Sequence, residues 1–284
     1  MNIAARTTTV LAALLLSACT SSATDDPDDM FEPPPDIVED GKADTPMSSD
    51  WTPIGLGVSY QQVNTGHAIL IVYGGYSAKL SYSAGWASEL VDAKLGAADV
   101  GHIYAVKGPQ DAGYAAREIG NSKLRAHLAT LPADAPIYIV AHSSGSFVAH
   151  ELLQQLSAAG NTAVLARITY ANLDGGSSGL TATIVSSLDK ISFVYAQDPT
   201  LSSGLSQNAS SAIAMGMTYA MYGSAFKVVV PHTGCANGAG WCLHDVLITH
   251  RPHNPQSYNL ALDYTDFVGR PVTTEYLDGL IPLP

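Results

Sequence analysis

The segment Ile137–Leu153, with the sequence IYIVAHSSGSFVAHELL, carries the clearest structural pattern in this chain of 284 residues. Its first five residues are apolar, which is typical of a strand buried on both faces, and its second half predicts a helix. Ala141 and Gly145 lie two residues before and two residues after Ser143. Small side chains at these places let the strand and the helix approach closely. The segment therefore predicts a tight strand-to-helix turn that lifts the Ser143 hydroxyl clear of the sheet, near the positive end of the helix dipole.

Strand-like and helix-like segments alternate on both sides of this turn. Apolar runs rich in Ile, Val and Tyr predict strands at residues 67–73, 101–106, 136–141, 166–171, 190–196 and 226–230. Helices are predicted at residues 83–95, 115–131, 146–159, 180–188 and 210–222. Such alternation favours parallel strands joined by right-handed crossovers. The predicted class is α/β, with a doubly wound, mostly parallel sheet flanked by helices.

The small-x-Ser-x-small turn resembles the nucleophile elbow of the α/β-hydrolase superfamily, with Ala141 where that family usually has glycine. The resemblance implies the α/β-hydrolase fold. It also implies that Ser143 is a nucleophile and that an acid and a histidine follow it along the chain. The order of elements and the segment 104–109, YAVKGP, are most similar to the pancreatic-lipase-like branch.

The stretch Ile69–Tyr76, ILIVYGGY, resembles the strand and glycine turn that form the oxyanion hole in lipases of this superfamily. The resemblance implies that the backbone N–H of Gly75 or Tyr76, together with that of Ser144, binds the oxyanion of a tetrahedral intermediate. The family often has histidine at the position of Tyr73, so this residue is a departure from its pattern.

The catalytic histidine is expected after the last core strand, where it can serve as the general base for Ser143. The histidines in that part of the chain are His232, His244, His250 and His253. We favour His244, because its Cys-x-His context is similar to pancreatic-type lipases, in which a disulfide steadies the histidine loop. His232 is the alternative base because it directly follows a predicted strand, and His253 is a third candidate.

Two aspartates follow predicted strands after the elbow, and either one preserves the chain order Ser, Asp, His. Asp174 belongs to a Leu-Asp pair, Leu173-Asp174, which resembles that of the pancreatic-lipase branch, where the acid follows the sixth strand. Asp198 follows the next strand, where many other hydrolases carry the acid. We favour Asp174, with Asp198 as the alternative.

These assignments predict a serine hydrolase that cleaves carboxylic esters through an acyl-enzyme, as an esterase or lipase does. The expected substrate is a small ester or a lipid, and the expected chemistry needs no metal and no organic cofactor. A peptidase or amidase on the same fold is an alternative, since the same three groups serve both reactions. A non-enzymatic surface lipoprotein that retains the hydrolase shell is a second alternative.

The N-terminus predicts export. Residues 1–18 contain Arg6 and an apolar run, Val10–Leu16, that is too short to span a bilayer. The run ends in Leu-Ser-Ala-Cys, which resembles the lipobox of bacterial lipoprotein signal peptides and implies lipidation of Cys19. Thr20 follows Cys19, which in that family implies the outer membrane or the cell surface. We therefore expect a lipid anchor to join the chain to a membrane.

The distribution of charged residues divides the chain after the leader into an acidic tether and a domain. The formal net charge is −12, and residues 19–50 contain ten acidic side chains against one lysine. This Pro-rich segment has too few apolar residues to fold, so we expect a disordered tether at 19–50 and an α/β-hydrolase domain at 51–284. The domain is only mildly acidic and has no basic stripe, which argues against a nucleic-acid partner.

Cys235 and Cys242 form an even pair in a domain predicted to be exported, so we expect a disulfide between them. Their spacing lacks the paired short intervals of a zinc site, and no metal site is predicted.

Overall fold

A mixed eight-stranded sheet organises the described part of the chain. This computed structural model describes residues 48–76, 78–93, 100–109, 114–176, 179–196, 226–229 and 244. All of them lie in one compact unit, Val38–Pro284; the chain's other unit, Met1–Ile37, falls outside the described residues.

The strands are four to seven residues long. They are β1 Thr52–Gly55, β2 Val58–Gln62, β3 Ala68–Tyr73, β4 Val100–Val106, β5 Ile137–His142, β6 Ile168–Leu173, β7 Lys190–Ala196 and β8 Phe226–Val229. Their order in the sheet is β1-β2-β4-β3-β5-β6-β7-β8. The pairs β1–β2 and β2–β4 are antiparallel, and every later pair is parallel. This order is that of the α/β-hydrolase fold, and the prediction of a doubly wound, mostly parallel sheet is confirmed.

The strand order reverses between β3 and β5. After β3 the chain moves to β4 on one side, and after β5 it moves to β6 on the other side. In open α/β sheets, ligands bind in the crevice at the carboxyl ends of the strands where this reversal occurs. The topology therefore directs attention to the residues that follow Tyr73 and His142.

The helices connect and cover the parallel strands. They are α1 Leu80–Ala93, α2 Tyr114–Leu128, α3 Gly145–Ala158, α4 Thr162–Leu165 and α5 Ala182–Ser187. In this part of the chain, no helix combines the length and the apolar character needed to span a bilayer.

The central strands are buried on both faces. Ile69, Ile71 and Tyr73 of β3 belong to a core cluster with side chains of α2 and α3, including Leu124 and Leu152. Successive side chains of a strand point to opposite faces, so the buried Leu70 and Val72 lie on the other face. Helix α1 packs against β3 and β4. Burial on both faces explains why these strands are continuous apolar runs without alternation.

Six strands and four helices were predicted within a few residues of their observed bounds. The strands β1 and β2 and the single-turn helix α4 were not. Residues 52–62 are half-exposed and mix polar and glycine residues with apolar ones, so they lack the pattern of a buried strand. The helix predicted at residues 210–222 lies outside the described residues.

Candidate active site

Ser143 occupies a strained turn between β5 and α3. Its φ angle is +53°, a left-handed conformation that non-glycine residues rarely adopt without tertiary support. Two backbone hydrogen bonds hold the turn: the Ser143 N–H donates to Leu173 O at 3.0 Å, and the Ser146 N–H donates to Ser143 O at 3.0 Å. Ser143 is only 8% exposed, at the carboxyl end of the central strand.

The small residue at position 145 is required by a close backbone approach. A Cβ built on Gly145 would lie 2.3 Å from Gly74 O and 2.9 Å from Tyr73 O. Real Cβ atoms do not come so near, so any larger residue would push the start of α3 away from the end of β3. Glycine at 145 thus brings the elbow and the glycine turn after β3 together.

That glycine turn is fixed on both sides. The Gly74 N–H donates to Val106 O at 3.1 Å, and the Ala78 N–H donates to Gly75 O at 3.0 Å. A Cβ on Gly75 would lie 3.2 Å from Ser143 Cβ, so the Gly75 backbone borders the elbow. Within the described ranges, the backbone N–H groups of Gly75 and Ser144 donate to no main-chain oxygen.

Tyr76 completes the turn and is 40% exposed. The sequence offered Gly75, Tyr76 and Ser144 as oxyanion donors. The structure brings Gly75 beside Ser143. Ser144 directly follows Ser143 in the chain and is the N-cap of α3. Backbone N–H groups at a helix N-terminus carry partial positive charge, which suits a developing oxyanion.

Asp174 and His244 form a buried pair. Asp174 directly follows β6 with a φ of +43°, which carries its side chain out of the strand's alternation. His244 Nδ1 donates a hydrogen bond to Asp174 Oδ2. The relative exposure of the two side chains is 3% for His244 and 0% for Asp174. Of the alternatives, Asp198, His232 and His253 lie outside the described residues, as do Cys19, Cys235 and Cys242.

The loop after β6 is held by side chains that the sequence analysis did not identify. Asn172 Nδ2 donates to Gly176 O at 3.1 Å, and Ser146 Oγ is 3.5 Å from the same oxygen. A Cβ on Gly175 would lie 2.2 Å from Asn172 Oδ1, so the loop folds tightly over Asn172. Asp174 lies between these anchored points. A buried amide in an apolar strand was the available signal, because such a group needs hydrogen-bond partners.

His142 was also missed as a functional candidate. It is buried at the end of β5, and its Nε2 donates to the main-chain oxygen of His244 at 3.0 Å. The two imidazole rings lie 4.2 Å apart between centroids and are tilted by 44°. His142 therefore connects the strand that carries Ser143 with the residue bonded to Asp174.

Tyr73, where the lipase family often has histidine, belongs to the core. Its hydroxyl donates to Asn121 Oδ1 at 3.1 Å, and Asn121 Nδ2 donates to Val148 O. Burial, with Glu151 as a smaller cause, raises the pKa of Tyr73 well above its ordinary value, so the phenol stays neutral. The departure from the family pattern thus supplies a structural bridge from β3 to α2 and α3.

The described residues contain no group of three or more His, Cys, Asp or Glu side chains arranged to hold a metal ion. They do contain a serine on a strained elbow, a histidine hydrogen-bonded to a buried carboxylate, and a glycine backbone that borders the elbow. Together these groups suit nucleophilic acyl transfer.

No family model matches this chain, and no curated protein matches its sequence. Solved structures do resemble it. A predicted CIB-like hydrolase from Thermoplasma acidophilum is 12% identical, with 82% of this chain and 99% of that chain covered and a TM-score of 0.43. An esterase/lipase from an uncultured bacterium is 9% identical, with 78% of this chain and 86% of that chain covered and a TM-score of 0.44.

An ester-hydrolase from the metagenome of Lake Arreo is 13% identical, with 85% of this chain and 87% of that chain covered and a TM-score of 0.45. Identities and TM-scores this low transfer no activity to the present chain. The strand order identifies the fold of this chain. Evidence for its chemistry comes from its own residues.

Proposed function

We propose that the protein is a serine hydrolase that cleaves carboxylic esters through a covalent acyl-enzyme. The observation that carries the proposal is the buried Asp174–His244 hydrogen bond, together with the strained elbow that holds Ser143 at the carboxyl end of the central strand. The chain order Ser, Asp, His agrees with this fold. Each of the three side chains then has one role in the reaction.

In the first half of the reaction, Ser143 Oγ attacks the ester carbonyl carbon. His244 accepts the hydroxyl proton at Nε2, because its Nδ1 donates to Asp174. The negative carboxylate stabilises the resulting imidazolium. His244 then gives the proton to the leaving alkoxide, so an alcohol departs and an acyl-serine remains.

The second half repeats these steps with water as the nucleophile. His244 takes a proton from water, the hydroxide attacks the acyl-serine, and the same proton returns to Ser143 Oγ as the carboxylic acid leaves. Both tetrahedral intermediates carry an oxyanion, for which we assign the N–H groups of Ser144 and of Gly75 or Tyr76 as donors. Losing one such donor typically costs about 10²–10³ in kcat.

Hydrolysis of p-nitrophenyl esters and of peptide p-nitroanilides, compared side by side, tests this proposal. We expect ester turnover with an initial burst, and loss of at least about 10⁴-fold in kcat for Ser143→Ala. Ser186→Ala is the control, because that hydroxyl is exposed on α5 and donates to Thr183 O within the same helix. Turnover of the anilides with no ester hydrolysis would support an amidase instead, and no turnover of either would contradict the proposal.

We also propose that Cys19 is lipidated and that the chain is exported and anchored at a bacterial membrane. Support comes from the apolar run Val10–Leu16 and the lipobox-like tetrapeptide that follows it. Metabolic labelling with radioactive palmitate should mark the wild type and not Cys19→Ala. Equal labelling of both would show that the acyl group is attached elsewhere.

A further inference from the structure

His142 touches three parts of the candidate site at once. It directly precedes Ser143, and its Nε2 lies 3.0 Å from the main-chain oxygen of His244. On the other edge of the ring, a Cβ built on Gly75 would lie 3.1 Å from His142 Nδ1. A single buried ring therefore borders the proposed nucleophile, the proposed base and the glycine turn after β3, and the reaction outlined above assigns it no role.

The hydrogen bond fixes the protonation of His142 at one atom. A main-chain oxygen accepts only, so Nε2 must carry the proton that it donates. The ring is 3% exposed, and it packs against the His244 ring at 4.2 Å. His142 is thus held by contacts on its edge and on its face, and it holds His244 in return.

We propose that His142 is a positioning residue that fixes His244 for proton transfer to and from Ser143; the inference rests on the proposed function. Asp174 holds the imidazole of His244 through Nδ1. The bond from His142 fixes the backbone of His244. Because the ring and the backbone of His244 are both held, its Nε2 atom keeps a single orientation.

The position of His142 in the chain makes this arrangement useful. His142 belongs to β5, which ends directly at Ser143, while His244 lies 102 residues from it along the chain. Any movement of the elbow therefore carries His142 with it, and the hydrogen bond passes that movement to His244. The relative position of the nucleophile and its base is thereby preserved. A misplacement of about 1 Å in such a pair can lower the reaction rate roughly 100-fold.

Two substitutions separate the hydrogen bond from the packing. His142→Phe keeps a flat ring against His244 and removes the donor. His142→Gln places an amide N–H₂ near the former Nε2, so it retains a donor without the ring. We expect His142→Phe to lower kcat by about 10- to 100-fold with KM little changed, because the lost interaction serves the chemical step. His142→Gln should recover kcat to within about threefold of the wild type.

His150→Phe is the matched control. His150 is an equally buried histidine on α3, and its Nε2 makes a 2.9 Å hydrogen bond with the Tyr170 hydroxyl. Its substitution removes a buried hydrogen bond in the core and should lower the melting temperature about as much as His142→Phe does. It should leave kcat within about twofold of the wild type, because the hydrogen bond that it loses is with Tyr170, which lies in the core.

The solvent exchange rate of the His244 Nδ1 proton, followed by NMR, provides a readout that needs no turnover. We expect faster exchange in His142→Phe, and exchange close to that of the wild type in His142→Gln and His150→Phe. If the wild type hydrolyses no ester, the proposed function fails, and the exchange rates still test the positioning of His244.

Three outcomes would overturn the inference. The first is a His142→Phe enzyme with kcat within about twofold of the wild type and unchanged proton exchange. The second is a His142→Gln enzyme as impaired as His142→Phe, since the donor would then not matter. The third is an equal loss of kcat in His150→Phe, which would reduce the effect to general destabilisation.

Discussion

His244 Nδ1 donates a hydrogen bond to Oδ2 of Asp174 across 70 residues of sequence, and both side chains are buried. The bond selects one tautomer of His244, with the proton on Nδ1 and the basic lone pair on Nε2. This geometry agrees with the roles of acid and base that we propose for the pair.

Replacing Asp174 by Asn should lower kcat for ester hydrolysis by about 10³–10⁴-fold, because an amide neither stabilises the imidazolium nor selects the same tautomer. Asn is the suitable substitute because it tolerates the left-handed φ of +43° better than Ala. Steady-state kinetics on a p-nitrophenyl ester measures the effect. Asp198→Asn is the comparison, and the assignment would be wrong if that variant were the inactive one.

Gly145→Ala should destabilise the protein by roughly 1–3 kcal/mol, because the new methyl group collides with Gly74 O. The matched control is Gly85→Ala on α1, where a Cβ meets nothing within 4 Å. That variant should gain about 0.5–1 kcal/mol from helix propensity. Urea unfolding of both variants measures the two effects. Equal stabilities would contradict the close approach of α3 to the glycine turn.

Asn172→Ala should cost roughly 1–3 kcal/mol of stability, because it removes the 3.1 Å bond to the buried Gly176 O. It should also lower kcat, since the turn that carries Asp174 loses its anchor. Ser146→Ala should have a smaller effect on both quantities, because its oxygen is 3.5 Å from the same acceptor. Urea unfolding and steady-state kinetics on both variants measure these effects. The reverse ranking would show that Ser146 is the principal anchor.

Acid should destabilise the protein partly through His127. Burial lowers the pKa of His127 in the folded protein, and Tyr104 donates to its Nδ1 at 2.7 Å. The unfolded chain therefore binds a proton more readily. The stability from neutral His127 is present above a pH of about 6.5 and is lost as the pH falls through the folded pKa.

His127→Gln tests this linkage because Gln does not titrate. Between about pH 7.5 and about pH 5, the urea midpoint of the wild type should fall further than that of His127→Gln. Parallel losses in the two proteins would show that His127 does not contribute.

Local patterns account for the parts of the fold that the sequence predicts. The elbow is encoded within Ile137–Leu153, where an apolar run, two small residues and a helix follow each other directly. The strands β1 and β2 are hard to recognise from the sequence because the pairing that joins them to the rest of the sheet connects distant residues, Tyr60 of β2 with Tyr104 of β4 for example. Half-exposed strands also lack the apolar continuity that identifies the central ones.

The site is less predictable than the fold because its groups come from distant segments. The sequence offered two aspartates and three histidines, and local pattern alone cannot decide which of them meet. The structure supplies the hydrogen bond between Asp174 and His244. His142 was overlooked because the elbow motif allows any residue there, although a polar ring at the end of a buried strand must find a partner.

The most direct test of the account is the reaction of the protein with a fluorophosphonate probe, followed by mass-spectrometric mapping of the modified residue. A serine activated by the Asp174–His244 pair should attack the phosphorus and become the single labelled position, at Ser143. Label should disappear in Ser143→Ala and persist in Ser186→Ala. A wild type that remains unlabelled, or a label that survives in Ser143→Ala, would contradict the assignment of Ser143 as the nucleophile.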